Sequence, residues 1–206
     1  MRLEKLYAIL DPSIRSDLSL LTIAGRLLEG GARWFQYRKK SAASGEMLAD
    51  VTTLLRAARA MKARVVVNDR ADVAWLAQAH GVHVGQSDLN VEQVRKILGP
   101  RKMVGISTHG LDQALAAANT SATYIALGPI FPTNTKKDSE PVVGLEGLRE
   151  VRKYITAPIV AIGGITADNA GDVIAAGADS VAVISDLLRA EDIAARTRLF
   201  LKVLGK

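Results

Sequence analysis

The sequence predicts a (β/α)8 barrel, on three observations. Eight short apolar runs rich in β-branched residues recur along 206 residues, near 5–10, 32–38, 64–68, 81–84, 103–107, 123–128, 158–163 and 180–184. Segments with helical spacing of apolar residues lie between them. Polar groups stand where run after run stops. Near-continuous apolar strands alternating with amphipathic helices make a parallel sheet covered by helices. An open sheet concentrates its ligand groups at one switch point, whereas a closed one gathers them from every strand end. No linker, low-complexity tract or charge block divides the chain. Residues 1–206 are therefore expected to form one barrel domain, near the lower size limit for the fold and with short loops.

The elements follow in order. After the first run, Leu18, Leu21, Leu27 and Leu28 give a helical face that stops at Gly30-Gly31. Trp34-Phe35 then leads into Gln36, Arg38 and Lys40, and Leu48, Val51, Leu54 and Leu55 form the next helical face. Val65-Val66-Val67 ends at Asn68-Asp69, and Val82-His83-Val84 ends at Gly85-Gln86 and Asp88. Val91, Val94 and Leu98 share one face before Val104-Gly105-Ile106, which ends at Ser107. Gln113 to Thr135 carries no charge and reads as a helix, a buried strand (Tyr124 to Leu127) and a loop, too polar and interrupted for a membrane helix. Ile159 to Ile162 ends at Gly163-Gly164, with a helix expected from near Thr166, and Val181 to Ile184 ends at Ser185.

The absence of cysteine excludes disulfides, thiolate catalysis and zinc-thiolate sites, and fits a reducing cytoplasm. Met1 to Lys5 contains no apolar secretory core. The net charge of +6 raises the question of nucleic acid, but the cations are scattered and few aromatics interleave with them. Anionic small molecules account for part of that excess, and solvated helix faces for the rest. No nucleic-acid or membrane partner is expected. A homo-oligomer is compatible with the sequence, which does not specify one.

Side chains in a strand alternate faces, so Gln36, Arg38 and Lys40 point one way and Tyr37 and Lys39 the other. Two cations and an amide on one face suit a phosphate, with Arg as a bidentate fork and Lys as a point charge. A solvated basic strand end fits this motif equally well. Asp69 and Asp88 follow adjacent strands and should lie near one another. Two carboxylates without a His or Cys partner suit Mg²⁺, which takes one or two carboxylates plus substrate phosphate oxygens. The alternative is that Asp69 caps a helix from Arg70 and Asp88 one from Leu89 or Asn90. His83, in mid-strand, reads as a hydrogen-bonded interior residue, His80 as a surface residue, and His109 stays open. Gly128 to Lys136 is the most distinctive loop. Its prolines stiffen it, and Thr133, Asn134, Thr135 and Lys136 offer hydroxyl, amide and ammonium groups. Gly163-Gly164 and Ile184-Ser185 match the phosphate cradle that barrels carry after strands seven and eight.

Together these strings resemble the thiamine-phosphate synthase family. The matching segments are Gln36 to Lys40, Val67 to Arg70, Gly81 to Asp88, Ile106 to His109, Gly128 to Lys137, Val160 to Ile165 and Ala182 to Ser185, in order over nearly the whole chain. The acid pair combined with the Thr-Asn-Thr-Lys loop is the specific part of the match. The resemblance implies a transferase that joins 4-amino-5-hydroxymethyl-2-methylpyrimidine diphosphate to hydroxyethylthiazole phosphate, usually in its carboxylated form, with release of diphosphate. It implies that Gln36, Tyr37, Arg38, Lys39, Lys40, Asn68, Ser107 and Lys136 hold the pyrimidine diphosphate. It assigns Mg²⁺ to Asp69 and Asp88, and the thiazole phosphate to Thr133, Asn134, Thr135, Gly164, Ile184 and Ser185. Arg38, Lys40, Ser107 and Lys136 would carry the catalysis. Lys39 departs from the family, which more often has Glu there.

The reaction implied is dissociative: diphosphate leaves, and the thiazole nitrogen captures the pyrimidine-methyl cation. Diphosphate carries roughly three negative charges near neutral pH, given a terminal pKa of about 6. Arg38, Lys40, Lys136 and Mg²⁺ would supply five positive charges and the two aspartates remove two, which matches the leaving group. Stabilising that charge and aligning two substrates needs no protein nucleophile. Two other functions share the fold. A thiazole tautomerase-type isomerase would need the phosphate cradle but not Arg38, Lys40, Asp69, Asp88 and Lys136 together. A non-catalytic thiazole-phosphate-binding barrel would show losses in that set, and none appear.

Overall fold

The eight apolar runs pair in sequence order, every neighbouring pair parallel, and the first closes on the last. The computed structural model describes residues 3–133 and 140–205. Its strands are β1 (Leu6–Leu10), β2 (Trp34–Tyr37), β3 (Arg64–Asn68), β4 (Gly81–Val84), β5 (Met103–Thr108), β6 (Tyr124–Leu127), β7 (Ile159–Ile162) and β8 (Ser180–Val183). The helices around them are α1 (Leu20–Glu29), α2 (Ser44–Ala60), α3 (Ala71–Leu76), α4 (Val91–Leu98), α5 (Leu111–Ala118), α6 (Gly144–Tyr154), α7 (Ala170–Ala175), α8 (Ser185–Leu188) and α9 (Ile193–Val203). The described residues thus make one (β/α)8 barrel. None of their helices is long and apolar enough to cross a membrane.

Helix faces follow the 3.6-residue period with two corrections in the first: Leu18, expected on its face, precedes the helix, and Leu21 is off its centre. α1 starts behind Ser19, whose hydroxyl accepts the Thr22 N–H at 3.0 Å, and buries Ile23, Ala24, Leu27 and Leu28. Leu21, expected on that face, is 48 % exposed. It stands in the first turn at the edge of that face, roughly 90° from the centre, which Ile23, Ala24 and Leu27 fill. Gly31, at φ +100°, turns the chain toward β2. α2 buries Met47, Val51, Leu54 and Ala58, while Leu48 and Leu55 are only partly covered. In α4, Val91, Val94 and Leu98 are buried as expected.

The barrel interior holds three large rings. Tyr7 of β1 stacks on Trp34 of β2 with ring centres 3.7 Å apart, and Tyr124 of β6 lies edge-on to both. Small residues opposite make the room. A Cβ on Gly105 of β5 would fall 2.1 Å from the Tyr124 ring, so any side chain there expels it. Among the described residues, Trp34 Nε1 is the buried side-chain polar atom without a hydrogen-bond partner. It carries a desolvation cost on the order of 1–3 kcal/mol. These rings floor the cavity above, at the carboxyl ends of the strands.

Candidate active site

Two cavities open at that end of the barrel, and they share a wall. The smaller, about 150 Å³, is lined by Gln36, Asn68, Asp69, His83 and Asp88 among others. The larger, about 460 Å³, is lined by Thr133, Gly163, Gly164 and Ser185 among others. Arg38, Lys40, Ser107, His109 and Ile184 line both.

The acid pair sits in the smaller cavity, and neither carboxylate caps a helix. Asp69 adopts φ +63°, a left-handed conformation that non-glycine residues rarely take, and the helix after it starts behind Arg70 without a side-chain cap. Its backbone is held there by the His83 carbonyl, which accepts the Asp69 N–H at 2.8 Å. Asp88 accepts the Gly85 N–H through Oδ2 at 2.7 Å, and α4 is capped instead by Asn90, which forms a full capping box with Gln93. Burial raises the Asp69 carboxyl to about 6. The adjacent Asp88 pushes it the same way through charge and a hydrogen bond, while Lys40 and Arg38 oppose both effects. The two carboxylates are therefore neighbours. Two carboxylate oxygen donors side by side in a partly buried pocket fit a hard divalent cation whose remaining ligands come from substrate or water.

The basic strand end divides as alternation requires. Gln36 is buried at 3 % exposure and donates to the Tyr7 hydroxyl at 3.0 Å. Arg38 turns to the cavities and forms an ion pair with Asp11, which is 4 % exposed. Asp11 follows β1 and also accepts from the Ser13 hydroxyl at 2.5 Å and the Ser13 N–H at 3.1 Å. It was not expected from the sequence, although it ends an apolar run like the other site residues. Its charge offsets part of the positive total that was matched to diphosphate. Tyr37 and Lys39 are not brought to the cavities. The Tyr37 hydroxyl donates to Asp50 of α2 at 2.7 Å, and Lys39 pairs with Glu46 of the same helix and lies 3.8 Å from Asp50. Their side chains belong to the helix-facing side of β2, and both leave the substrate-facing set.

The other expected groups converge. Asn68 ends β3 in the smaller cavity. Ser107 Oγ is 2.9 Å from His83 Nε2. His109 Nδ1 donates to the Gly128 carbonyl at 2.6 Å, which fixes its ring at the shared wall. His80 is exposed, yet its Nδ1 accepts the Val65 N–H at 3.0 Å.

Gly163 and Gly164, at φ +99° and +62°, lie under the loop that follows β6. A Cβ on Gly164 would meet Phe131 Cβ and the Pro132 oxygen, each at 2.7 Å. Ile130 N–H donates to the Ile162 carbonyl at 2.9 Å and Phe131 N–H to that of Gly163 at 3.0 Å, so the loop is stitched to the glycines. Asn169 donates to the Gly164 carbonyl at 3.1 Å and accepts the Thr166 N–H at 2.9 Å. Residues 167–169 form a turn, and α7 starts at Ala170 rather than near Thr166. Asp186 joins the two halves of the cradle, accepting from Ala167 N–H at 3.2 Å and from Arg196 at 2.8 and 2.9 Å. Ser185 opens α8 directly after Ile184. Thr133 lies at the larger cavity, whereas Asn134, Thr135 and Lys136 lie outside the described residues.

Comparison with known proteins adds an independent line. Residues 6–187 match the family model described as thiamine monophosphate synthase. The thiamine-phosphate synthase of Koribacter versatilis is 46 % identical over 208 residues, covering 99 % of this chain and 97 % of that one. The corresponding protein of Chloroflexus aurantiacus is 41 % identical over 194 residues, covering 94 % and 89 %. Among solved structures, thiamine phosphate pyrophosphorylase from Pyrococcus furiosus superposes with a TM-score of 0.89 at 38 % identity, covering 97 % of this chain and 95 % of that one. With a matching model over most of its length and relatives of this identity, the chain belongs to the thiamine-phosphate synthase family.

Proposed function

We propose that the two cavities hold the two substrates of thiamine-phosphate synthesis, the family's transferase reaction, and that bond formation occurs at the wall they share. The observation that carries this is the common rim: Arg38, Lys40, Ser107 and His109 face both spaces. The smaller space is close to the volume that holds one six-membered aromatic ring. It takes the pyrimidine, with Gln36, Asn68 and Ser107 around the ring and Arg38 and Lys40 on the diphosphate. The larger takes the thiazole phosphate, its phosphate on Thr133, Gly164 and Ser185, with Ile184 against the ring; Asn134 and Thr135 are assigned to the same phosphate, and Lys136 to the pyrimidine diphosphate, from the sequence resemblance alone.

Asp69 and Asp88 are the residues that would hold Mg²⁺. When bound, the ion supplies positive charge to the departing diphosphate. Arg38 and Lys40 stabilise the same developing charge, and Asp11 keeps the Arg38 guanidinium from swinging away. The shared wall orients the thiazole nitrogen toward the methylene carbon, so that capture follows departure within one enclosed site. No side chain becomes covalently attached. The lack of cysteine supports work in a reducing cytoplasm.

The test is release of diphosphate when the full chain receives both substrates and Mg²⁺. A synthase releases it in step with thiamine phosphate. An isomerase of the thiazole or a binding protein releases none, and that result would overturn the proposal.

A further inference from the structure

The one-turn helix α8 brings Ser185 to the larger cavity, yet a helix of that length has little stability of its own. Its apolar residues Leu187 and Leu188 are buried, and polar tethers hold it at both ends. At its start, Asp186 accepts from the Ala167 N–H and from Arg196. At its end stand carbonyls that find no partner within so short a helix. Arg15 reaches them from the other end of the chain. Its Nη1 donates to the Leu188 carbonyl at 3.0 Å and to that of Ala190 at 3.2 Å. The opposite edge of the same guanidinium donates to both oxygens of Asp17, at 2.8 and 2.9 Å, which fixes the plane of the fork.

Arg15 closes a 3-10 turn, Pro12–Arg15, that Asp11 opens by accepting the Ser13 N–H. Asp11 also pairs with Arg38. Pro12 stiffens the first position of the turn, and its four residues span roughly 8 Å. The two ends therefore have different duties at a nearly fixed separation. The Asp11 end restrains the cation at the wall shared by both cavities, and the Arg15 end restrains the helix that opens with Ser185. Arg15 itself lines neither cavity, so it acts on a ligand only through α8.

We propose that Arg15 is a positioning residue for the phosphate bound in the larger cavity: by clamping the end of α8 it holds Ser185 opposite the glycines after β7 and at a set distance from Arg38. The inference rests on the reading of that cavity as the thiazole phosphate site. Releasing the clamp loosens α8 but leaves Asp11 on Arg38 at the other end of the turn. The two substrates should therefore respond differently to its loss.

The experiment measures KM for both substrates with Mg²⁺ in the full chain, for wild type, Arg15→Gln, Arg15→Lys and Arg152→Gln. Arg152 makes the same kind of contact at the opposite end of the barrel, donating to the Ile155 carbonyl and, at 2.8 Å, to that of Ala157, and so controls for lost stability. Arg15→Gln is expected to raise KM for thiazole phosphate roughly tenfold, the size of one well-placed hydrogen bond, with KM for the pyrimidine diphosphate within about twofold of wild type. Arg15→Lys can still donate to both carbonyls and should stay within about threefold of wild type for both. Arg152→Gln should lower the melting temperature and move neither constant. Folded Arg15→Gln with KM for thiazole phosphate unchanged, or with both constants raised alike, overturns the inference and leaves the synthase reading standing. So does an equal rise in KM for thiazole phosphate in Arg152→Gln. A wild type with no turnover overturns both. Nitrogen-15 spectra of the unaltered protein need no variant. By linkage, a clamp that favours the phosphate is tightened by it, so thiazole phosphate should slow rotation of the Arg15 guanidinium and the pyrimidine diphosphate should not. Arg15 signals that ignore thiazole phosphate overturn the proposal.

Discussion

Arg38, at the end of β2, donates to the buried carboxylate of Asp11, at the end of β1, so one of the cations offered to diphosphate is already paired before any ligand arrives. The pair restrains the guanidinium at the shared wall and lowers the net positive charge there. Asp11→Ala leaves that cation poorly solvated and free to swing. The expected cost is about 3 kcal/mol of stability, read from urea unfolding, with a rise of roughly tenfold in KM for the pyrimidine diphosphate. Unchanged values of both would remove Asp11 from the site.

Asp69 gives a pH dependence with a defined sign. Its carboxyl is raised to about 6 by burial and by Asp88, above its ordinary value of 3.8. Without metal, the stability linked to this group is therefore fully present below pH 3.8 and lost as pH rises through about 6. Metal binding needs the ionised form, so Mg²⁺ affinity should fall as pH drops below about 6. Thermal melting with and without Mg²⁺ checks this: the Mg²⁺-induced rise should be large at pH 8, small at pH 5, and absent in Asp69→Asn at either pH.

Asn90 and Asp88 separate capping from catalysis. Asn90 caps α4, and Asn90→Ala should cost about 1 kcal/mol with turnover unchanged. Asp88→Ala should leave α4 in place but reduce turnover at least about a hundredfold and raise the Mg²⁺ concentration needed. Normal turnover in Asp88→Ala would sink the metal assignment.

Gly164 tests the cradle. Alanine there meets Phe131 and Pro132 at 2.7 Å and must hold φ +62°. Gly164→Ala should lower stability by about 1–3 kcal/mol and raise KM for the thiazole phosphate more than KM for the pyrimidine diphosphate. Equal effects on the two constants would argue against two separate cavities.

The strands were legible in the sequence because a parallel barrel strand is buried on both faces and reads as an unbroken apolar run. β4 begins and ends at the expected residues. The acid pair, the glycines after β7 and Ser107 were legible because each follows such a run. Asp11 obeys the same pattern after β1, and its role as the partner of Arg38 depends on the pairing of β1 with β2. Tyr7 and Tyr124 were hidden for a different reason. Inside an apolar run an aromatic ring reads as core, and nothing local tells that two phenols from β1 and β6 meet across the barrel. Tyr37 and Lys39 were assigned with their neighbours by motif, although strand alternation already pointed them at α2. The start of α7 lies four residues later than expected because a turn at residues 167–169, tied by the Asn169 side chain to Thr166 and Gly164, precedes it.

The central claim is that one rim of the barrel gathers Asp69 and Asp88 around an ion shared with a diphosphate, within reach of Arg38 and Lys40. Electron paramagnetic resonance of Mn²⁺ in place of Mg²⁺, recorded on the full chain with pyrimidine diphosphate, addresses it most directly. The account predicts phosphorus-31 hyperfine coupling to the bound ion, lost in Asp69→Ala and in Asp88→Ala. Mn²⁺ that binds both variants as it binds the wild type, or that shows no phosphorus coupling in the wild type, would contradict it.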